Sequence, residues 1–265
     1  MGRQKLIQYH TSGTTAPLPA NLELGEIAVQ YNTGDACLYI KDTNGAIKKF
    51  IDEQAVDKMI IDYLKEYGVI PPPSTVDMGL PSGTLWCECN IGAETPYEPG
   101  LYFALGETEG YTSGQVGTVK NFSSDWSDYK FGNPPTKYNS TDGLTTLEDA
   151  DDAAKVYYGG NFAMPTEEQF RELISGTTKT WNSANSGMIF TSTANGNTLF
   201  FPAAGYCGGG KVNLFGSYGG YWSSSLDTGS VLSGRRLGFL SSGGYGVDGN
   251  YRYFGFSVRP VKNTN

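Results

Sequence analysis

The chain has 265 residues with 27 acidic and 19 basic side chains, a formal net charge of −8. That length allows one or two domains with a sizeable core, and the acidic balance, with no Lys/Arg cluster, argues against a nucleic-acid binder that tracks phosphates. Only 17% of residues are charged, 13% are aromatic and 36 are glycine, which fits a turn-rich, largely β protein. No apolar run reaches membrane-spanning length, so no membrane insertion is expected. Cys37, Cys87, Cys89 and Cys207 are too few and too irregularly spaced for a disulfide framework. Cys87-Glu88-Cys89 is tighter than metal-knuckle spacing, and the cysteines read as small buried hydrophobes. Neither a metal nor a cofactor is expected.

Residues 1–51 read as a small β module. Lys5–His10 alternates weakly, as an edge strand does. Strands are expected over Leu22–Gln30, Ala36–Ile40 and Ala46–Ile51, separated by the turn sequences Asn32-Thr33-Gly34-Asp35 and Asp42-Thr43-Asn44-Gly45. Three short strands bury little, so the module is expected to need partner chains. Met1–Lys5 leads into Leu6-Ile7 and then polar residues, which is not a secretory signal pattern. Residues 52–73 read as a helix and spacer. Asp52 can cap a helix over Glu53–Tyr67, Gly68 ends it, and Pro71-Pro72-Pro73 is stiff and extended. Val56, Ile60, Tyr63 and Tyr67 form an apolar seam that fits a short trimeric stalk and a single amphipathic helix equally.

Residues 74–265 read as the main domain. Val76–Trp86 is a strand, a Pro-Ser-Gly turn and a returning strand. Residues 110–145 are polar, lack periodicity and are expected to be an irregular insertion. Leu147–Tyr158 is expected to be helical. Met164–Ile174 holds the clearest helix, with Thr166 as cap, Gln169 as its capping-box partner, and Phe170, Leu173 and Ile174 as the buried face. Met188–Ser192 and Thr198–Gly205, joined through Asn195-Gly196-Asn197, read as a hairpin.

The run Gly216–Val261 has an unusual vocabulary. Between Ser217 and Ser257 there is no Lys, Gln, Glu or Met, although all four recur earlier in the chain. What remains is mainly Tyr, Ser, Gly, Arg, Leu, Val, Asp, Asn and Phe around one Trp, which resembles the palette of adaptable binding loops; a Gly/Ser-rich linker shares part of it. The bracketing segments Gly220–Ser225 and Gly255–Val261 look firmly packed, which favours a displayed surface. Strand alternation puts Leu237 and Phe239 on a buried face and Arg236, Gly238 and Leu240 on the other. Gly243–Tyr251 reads as an irregular loop. Trp222, Phe256, Val258 and Val261 are assigned to the core.

Two resemblances follow from motifs. The segment Leu22–Gly45, with Gly25-Glu26-Ile27-Ala28-Val29 and Gly34-Asp35, resembles a short repeat found near the N-termini of phage tail-fibre and receptor-binding proteins. It implies attachment to a virion, commonly as a homotrimer among other tail proteins. In the main domain, Asp77–Trp86 (DMGLPSGTLW), Tyr102–Thr108 (YFALGET), Gly159–Leu173 (GGNFAMPTEEQFREL), Leu199–Tyr206 (LFFPAAGY), Gly220–Ser225 (GYWSSS) and Gly255–Val261 (GFSVRPV) occur in order. They span nearly all of residues 74–262. They resemble the C-type-lectin-fold domains called major-paralogous or FISUMP domains, and equally the variable proteins of diversity-generating retroelements, phage tropism determinants among them. The resemblance implies an α+β C-type lectin fold, mostly β with few helices, whose C-terminal part displays variable residues on a constant frame. Adenine-directed changes at Asn codons ending in a pyrimidine never yield Lys, Gln, Glu, Met or Trp, which matches the missing residue types if Trp222 belongs to the frame.

The expected activity is therefore binding of a bacterial cell-surface receptor, protein or glycan, by a variable region over about 217–255. The expected contact residues are Tyr218, Asp227, Val231, Leu232, Arg236, Leu240, Tyr245, Asp248, Asn250, Tyr251 and Phe254. The implied location is the virion, at the phage tail tip, after synthesis without a signal peptide. An invariant C-type-lectin-like adhesin or structural surface protein of a bacterium is the alternative. The chain lacks the Glu-Pro-Asn or Gln-Pro-Asp and Trp-Asn-Asp motifs of calcium-dependent lectins, so calcium-mediated sugar binding is not expected. It has no cysteine after Cys207, which argues against formylglycine-generating chemistry. Glu107 with Glu109, or the run Glu148–Asp152, could be imagined as a glycosidase pair or cation site, but solvated charge is the commoner meaning of such runs. His10, the only histidine, lies far from them in sequence. No catalytic residue is assigned.

Overall fold

A computed structural model describes residues 73–264 and, before them, only the backbone of three strands. The chain divides into two units, Met1–Pro72 and Pro73–Asn265. In the first, β1 (Ile27–Gln30), β2 (Cys37–Lys41) and β3 (Ile47–Phe50) form an antiparallel sheet in the order β1-β2-β3. These lie within or beside the segments whose alternation predicted strands. The strand expected over Lys5–His10, the helix expected over Glu53–Tyr67 and His10 itself lie outside the described residues.

The second unit is α+β, mostly sheet with few helices. Its first and last strands share one sheet, each paired with Leu85–Cys87. β4 (Thr75–Asp77), β5 (Leu85–Cys87), β7 (Phe162–Ala163) and β17 (Val261–Lys262) form a sheet in the order β4-β5-β17-β7, with Val261 between Trp86 and Ala163. The turn between β4 and β5 closes through the Gly83 N–H donating to the Leu80 carbonyl at 2.9 Å. β8 (Thr177–Asn182), β9 (Gly187–Ser192) and β10 (Thr198–Pro202) form an antiparallel meander that contains the expected hairpin, with Thr191 opposite Thr198. β11 (Tyr206–Gly208) and β12 (Lys211–Asn213) make a small ribbon. The largest sheet has the order β15-β14-β13-β16-β6, from β6 (Tyr102–Phe103), β13 (Tyr218–Leu226), β14 (Ser233–Leu240), β15 (Tyr245–Tyr251) and β16 (Phe256–Ser257).

β15 corrects an expectation. Gly243–Tyr251 was expected to be an irregular loop because its glycines, Asp248 and Asn250 disfavour strands. Seven residue pairs with β14, from Phe239 opposite Tyr245 to Ser233 opposite Tyr251, override that local preference.

The helices follow the capping chemistry. The Thr166 hydroxyl accepts from the Gln169 N–H at 3.2 Å and the Gln169 side chain accepts from the Thr166 N–H at 2.8 Å, so the capping box is complete and α2 (Glu167–Ser175) starts beyond it. Phe170 and Leu173 are buried, while Ile174 is half-buried. The helix expected over Leu147–Tyr158 is shorter, a 3-10 turn at Asp149–Asp151 and then α1 (Ala153–Tyr158). Asp152 breaks it because its carboxylate caps α1, accepting from the Lys155 N–H at 2.9 Å, and also accepts from the Met164 N–H.

Two cores flank the β13–β14 pair. Tyr221, Leu237 and Phe239 point to one, with Trp86, Phe170, Phe190 and Phe201. Trp222 points to the other, with Phe103, Phe256 and a row of aromatics from residues 110–145. That stretch has no regular element beyond isolated bridges, as expected, yet Phe122, Trp126, Tyr129, Phe131 and Tyr138 are all buried in it. It is therefore core-forming rather than a surface excursion. Polar clamps fix its path. The Lys120 ammonium pairs with buried Glu107 at 2.8 Å, and the Asp128 carboxylate accepts from the N–H groups of Asn121, Phe122 and Ser123 at 2.8 Å each. Asp151 accepts from Lys130, Lys137 and the Tyr138 hydroxyl.

Burial pulls the Asp151 carboxyl upward, but these hydrogen bonds outweigh it and hold its pKa below the usual aspartate value. A lowered native pKa contributes stability that is present above the unfolded-state value and lost as pH falls through the native one. Asp151→Asn is therefore expected to flatten the loss of unfolding free energy below about pH 4. Urea denaturation over a pH series checks this, and an unchanged slope would contradict the clamp.

Candidate binding surface

The sheet pairing decides which residues of the Gly216–Val261 run share a face. Tyr218 lies opposite Leu240, Gly220 opposite Gly238, and Trp222 opposite Arg236. On the other side of β14, Arg236 lies opposite Asp248 and Gly238 opposite Gly246. Directly opposed residues project to the same face, so Tyr218, Arg236, Leu240 and Asp248 form one surface. Leu237 and Phe239, on the alternate face, are buried as expected.

Arg236 is the centre of this surface. Its guanidinium lies over the rings of Tyr218 and Phe256, 5.4 and 5.2 Å from their centroids. Nη1 donates to the Tyr218 hydroxyl, and Nη2 approaches the Asp248 carboxylate at 3.1 Å. The group rests against bare backbone, because a Cβ at Gly238 would overlap Nη1. The Arg236 side chain is only 11% exposed, whereas that of Asp248 is 62% exposed. The Arg236 Nε is buried and has no hydrogen-bond partner. Burial pushes the Tyr218 phenol up to about 12, against the pull of Arg236, so the hydroxyl is neutral at ordinary pH.

An aromatic row continues from Tyr218. Tyr206 meets Tyr218, Phe254 and Phe256 at centroid distances of 6.1, 5.5 and 6.1 Å. Phe254 packs on Tyr253 at 4.5 Å, and Tyr253 stacks on Tyr251 at 5.7 Å. Trp126 closes the row beneath, 5.0 Å from Tyr253 and 6.1 Å from Tyr251. Tyr206, Tyr218 and Phe254 are half-buried, and Tyr251 and Leu240 are 48% and 43% exposed. Rings packed on one another in this way offer contact area with little conformational freedom left to lose.

Of the expected contact residues, Tyr218, Arg236, Leu240, Asp248, Tyr251 and Phe254 are thus joined by pairing or ring contact. Asn250 is half-buried in β15, and its side chain accepts from the Tyr251 N–H. Four others are elsewhere. Tyr245 opposes Phe239 and so faces away from Arg236, its ring under the Lys179 ammonium at 4.9 Å. Asp227, Val231 and Leu232 sit at the far end of the β13–β14 hairpin. Leu232 is half-buried and packs on the core that holds Trp222. Asp227 pairs with Arg235 at 3.5 Å and accepts from the Gly229 N–H within the turn. It borders a polar cleft of about 430 Å³ with Thr145, Thr146, Glu167 and Arg235, in which Glu167 receives two Arg235 hydrogen bonds at 2.9 Å.

Tyr206, Tyr253 and Trp126 were missed. Tyr206 precedes the run and belongs to β11, so nothing in the run's composition points to it. Its place beside Gly208, where a Cβ would press on Phe254, is a tertiary fact. The acidic candidates have structural partners: Glu107 holds Lys120, Asp151 the 110–145 clamp, and Asp152 the start of α1. Among the described residues no group of three or more His, Cys, Asp or Glu is placed to hold a metal. Cys87 and Cys207 are buried free thiols, and burial pushes the Cys87 thiol up to about 12. Comparison with protein-family models, characterised proteins and solved structures finds no significant match for this chain.

Proposed function

We propose that the chain is a phage receptor-binding protein whose main domain has a C-type lectin fold and displays a retroelement-diversified surface to a bacterial receptor. The N-terminal module and the following segment attach it to the tail, as a homotrimer, beside other tail proteins. The mechanism is binding alone, without catalysis or cofactor.

One observation carries this reading. The run that lacks Lys, Gln, Glu and Met is built as three paired strands whose large apolar members, Trp222, Leu237 and Phe239, are buried, while Arg236, Asp248 and Leu240 form an outward surface that Tyr251, at the end of β15, borders through its stack on Tyr253. A linker would need no such frame, and a displayed surface does. The one Trp in the run is part of the frame, as the codon argument requires. Central aromatic and arginine anchors are what protein recognition sites commonly use, and trimerisation multiplies weak single sites through avidity.

Adsorption of the labelled full chain to a panel of bacterial strains tests the proposal. One strain or a few are expected to bind. The double variant Leu240→Ser with Tyr251→Ser is expected to lose at least about tenfold in apparent affinity while its thermal unfolding changes little. Equal adsorption by the variant, or none by the wild type on any strain, would contradict the assignment.

A further inference from the structure

The ligand chemistry of this surface can be taken further, on the footing that it is the receptor-binding face. An arginine offers five N–H donors in a planar fork that matches a carboxylate edge-on. Arg236 uses this capacity incompletely. Nη1 is committed to Tyr218 and Nη2 to Asp248, and the buried Nε has no acceptor at all. Among the described residues the only other buried side-chain donor in that condition is Trp86 Nε1, inside the core that holds Leu237 and Phe239. An unmet donor of this kind is unfavourable, and at Arg236, beside an exposed carboxylate, an acceptor brought in with a ligand would relieve it.

The present partner of Arg236 is poorly placed to keep its position. Both Asp248 oxygens approach the same nitrogen, Nη2, at 3.1 and 3.3 Å, rather than bridging Nη2 and Nε. The carboxylate is mostly exposed, and an ion pair with one solvated member contributes little. Beside it the floor is open, since a Cβ at Gly246 would meet nothing within 4 Å. The guanidinium, by contrast, is pinned between Tyr218, Phe256 and the backbone of Gly238. The cation is therefore rigid, and its counter-ion is free to leave.

We infer that Arg236 is a carboxylate receptor covered by a displaceable counter-ion, Asp248, and that its occupant is an acidic sugar of the uronate type on a surface glycan. An incoming carboxylate bridging Nη2 and Nε would replace a single-nitrogen contact by a bidentate one and supply the missing acceptor. The rings around the cation favour a sugar as the carrier. Tyr218, Tyr206 and Phe254 are half-buried and mutually locked, so they offer apolar ring surface for a pyranose C–H face, while the Tyr218 and Tyr206 hydroxyls can serve its hydroxyl groups.

The test uses the full chain and two probes, methyl β-D-glucuronide and methyl β-D-glucoside, titrated at neutral pH with the Arg236 Nε–H signal and the probe signals followed by NMR. The glucuronide is expected to bind with a dissociation constant on the order of millimolar, as a single sugar contributes few contacts, and the glucoside at least about tenfold more weakly. Asp248→Ala is expected to tighten the glucuronide about three- to tenfold by removing the competitor. Arg236→Gln is expected to abolish the preference, and Gly238→Ala, which pushes the guanidinium off its seat, is expected to do the same without deleting the charge. Equal binding of the two probes, weaker glucuronide binding by Asp248→Ala, or binding of a polyglutamate peptide but not the glucuronide would overturn the inference. The same variants in the strain-adsorption assay separate the two levels. Loss of adsorption by Arg236→Gln and Gly238→Ala with no response to the glucuronide would overturn the ligand class and leave the receptor-binding face standing. Adsorption unaffected by these and by the Leu240/Tyr251 double variant would remove both.

Discussion

Replacing Arg259 by methionine is expected to lower the unfolding free energy by several kcal/mol, about 1–3 kcal/mol for each buried acceptor left without its donor. Arg259 is fully buried, with no carboxylate among its hydrogen-bond partners. Nε donates to the Asn90 side-chain oxygen at 2.8 Å, Nη1 to the carbonyls of Cys87, at 3.0 Å, and Glu88, and Nη2 to the carbonyl of Phe200 at 3.0 Å. The guanidinium also lies 4.5 Å from the Phe201 ring centroid. One side chain thus ties the segment after β5 to β10 and to the chain leading into β17. Methionine fills much of the volume but leaves those oxygens buried without donors. Urea denaturation measures the effect, and a change below about 1 kcal/mol would mean that water replaces the guanidinium.

The second large effect is expected at Trp222. Trp222→Ala should lower stability by about 3–5 kcal/mol and abolish receptor adsorption as well. The indole is fully buried, donates from Nε1 to the Phe103 carbonyl at 3.0 Å, and meets Phe256 edge-to-face at 4.8 Å. Phe256 in turn carries the Arg236 guanidinium, so the cavity left by the indole lies directly under the cation's seat. Leu240→Ser, on the same strand pair but exposed, is expected to change stability by less than about 1 kcal/mol while weakening adsorption. The contrast separates frame from display. Equal stability losses at the two positions would show that the division is wrong.

Much of the frame was legible because it rests on local rules. The Thr166–Gln169 capping box, the β9–β10 hairpin and the alternation of Leu237 and Phe239 with Arg236 and Leu240 are encoded within a few residues of each position. The failures are tertiary. Tyr245–Tyr251 carries poor strand formers and becomes a strand because β14 offers it a complete partner ladder. Residues 110–145 have no periodicity because no regular element sets one. Their aromatics reach the core through single residues at positive φ, Phe122, Trp126 and Tyr138 among them. The surface was half legible. Composition marked the run, but only the strand register separates Tyr245 from Arg236 and only ring packing brings in Tyr206.

The central claim, that the Gly216–Val261 run is a diversified surface on a constant frame, is tested most directly by sequencing the DNA that flanks the gene. The account predicts an imperfect second copy of the segment encoding this run, differing from it only where that copy has adenine, with a reverse-transcriptase gene nearby. The differing codons should include those for Tyr218, Arg236, Leu240, Asp248 and Tyr251 and spare those for Trp222, Leu237, Phe239 and Phe256. No such copy, or differences concentrated in the codons of the buried residues, would contradict it.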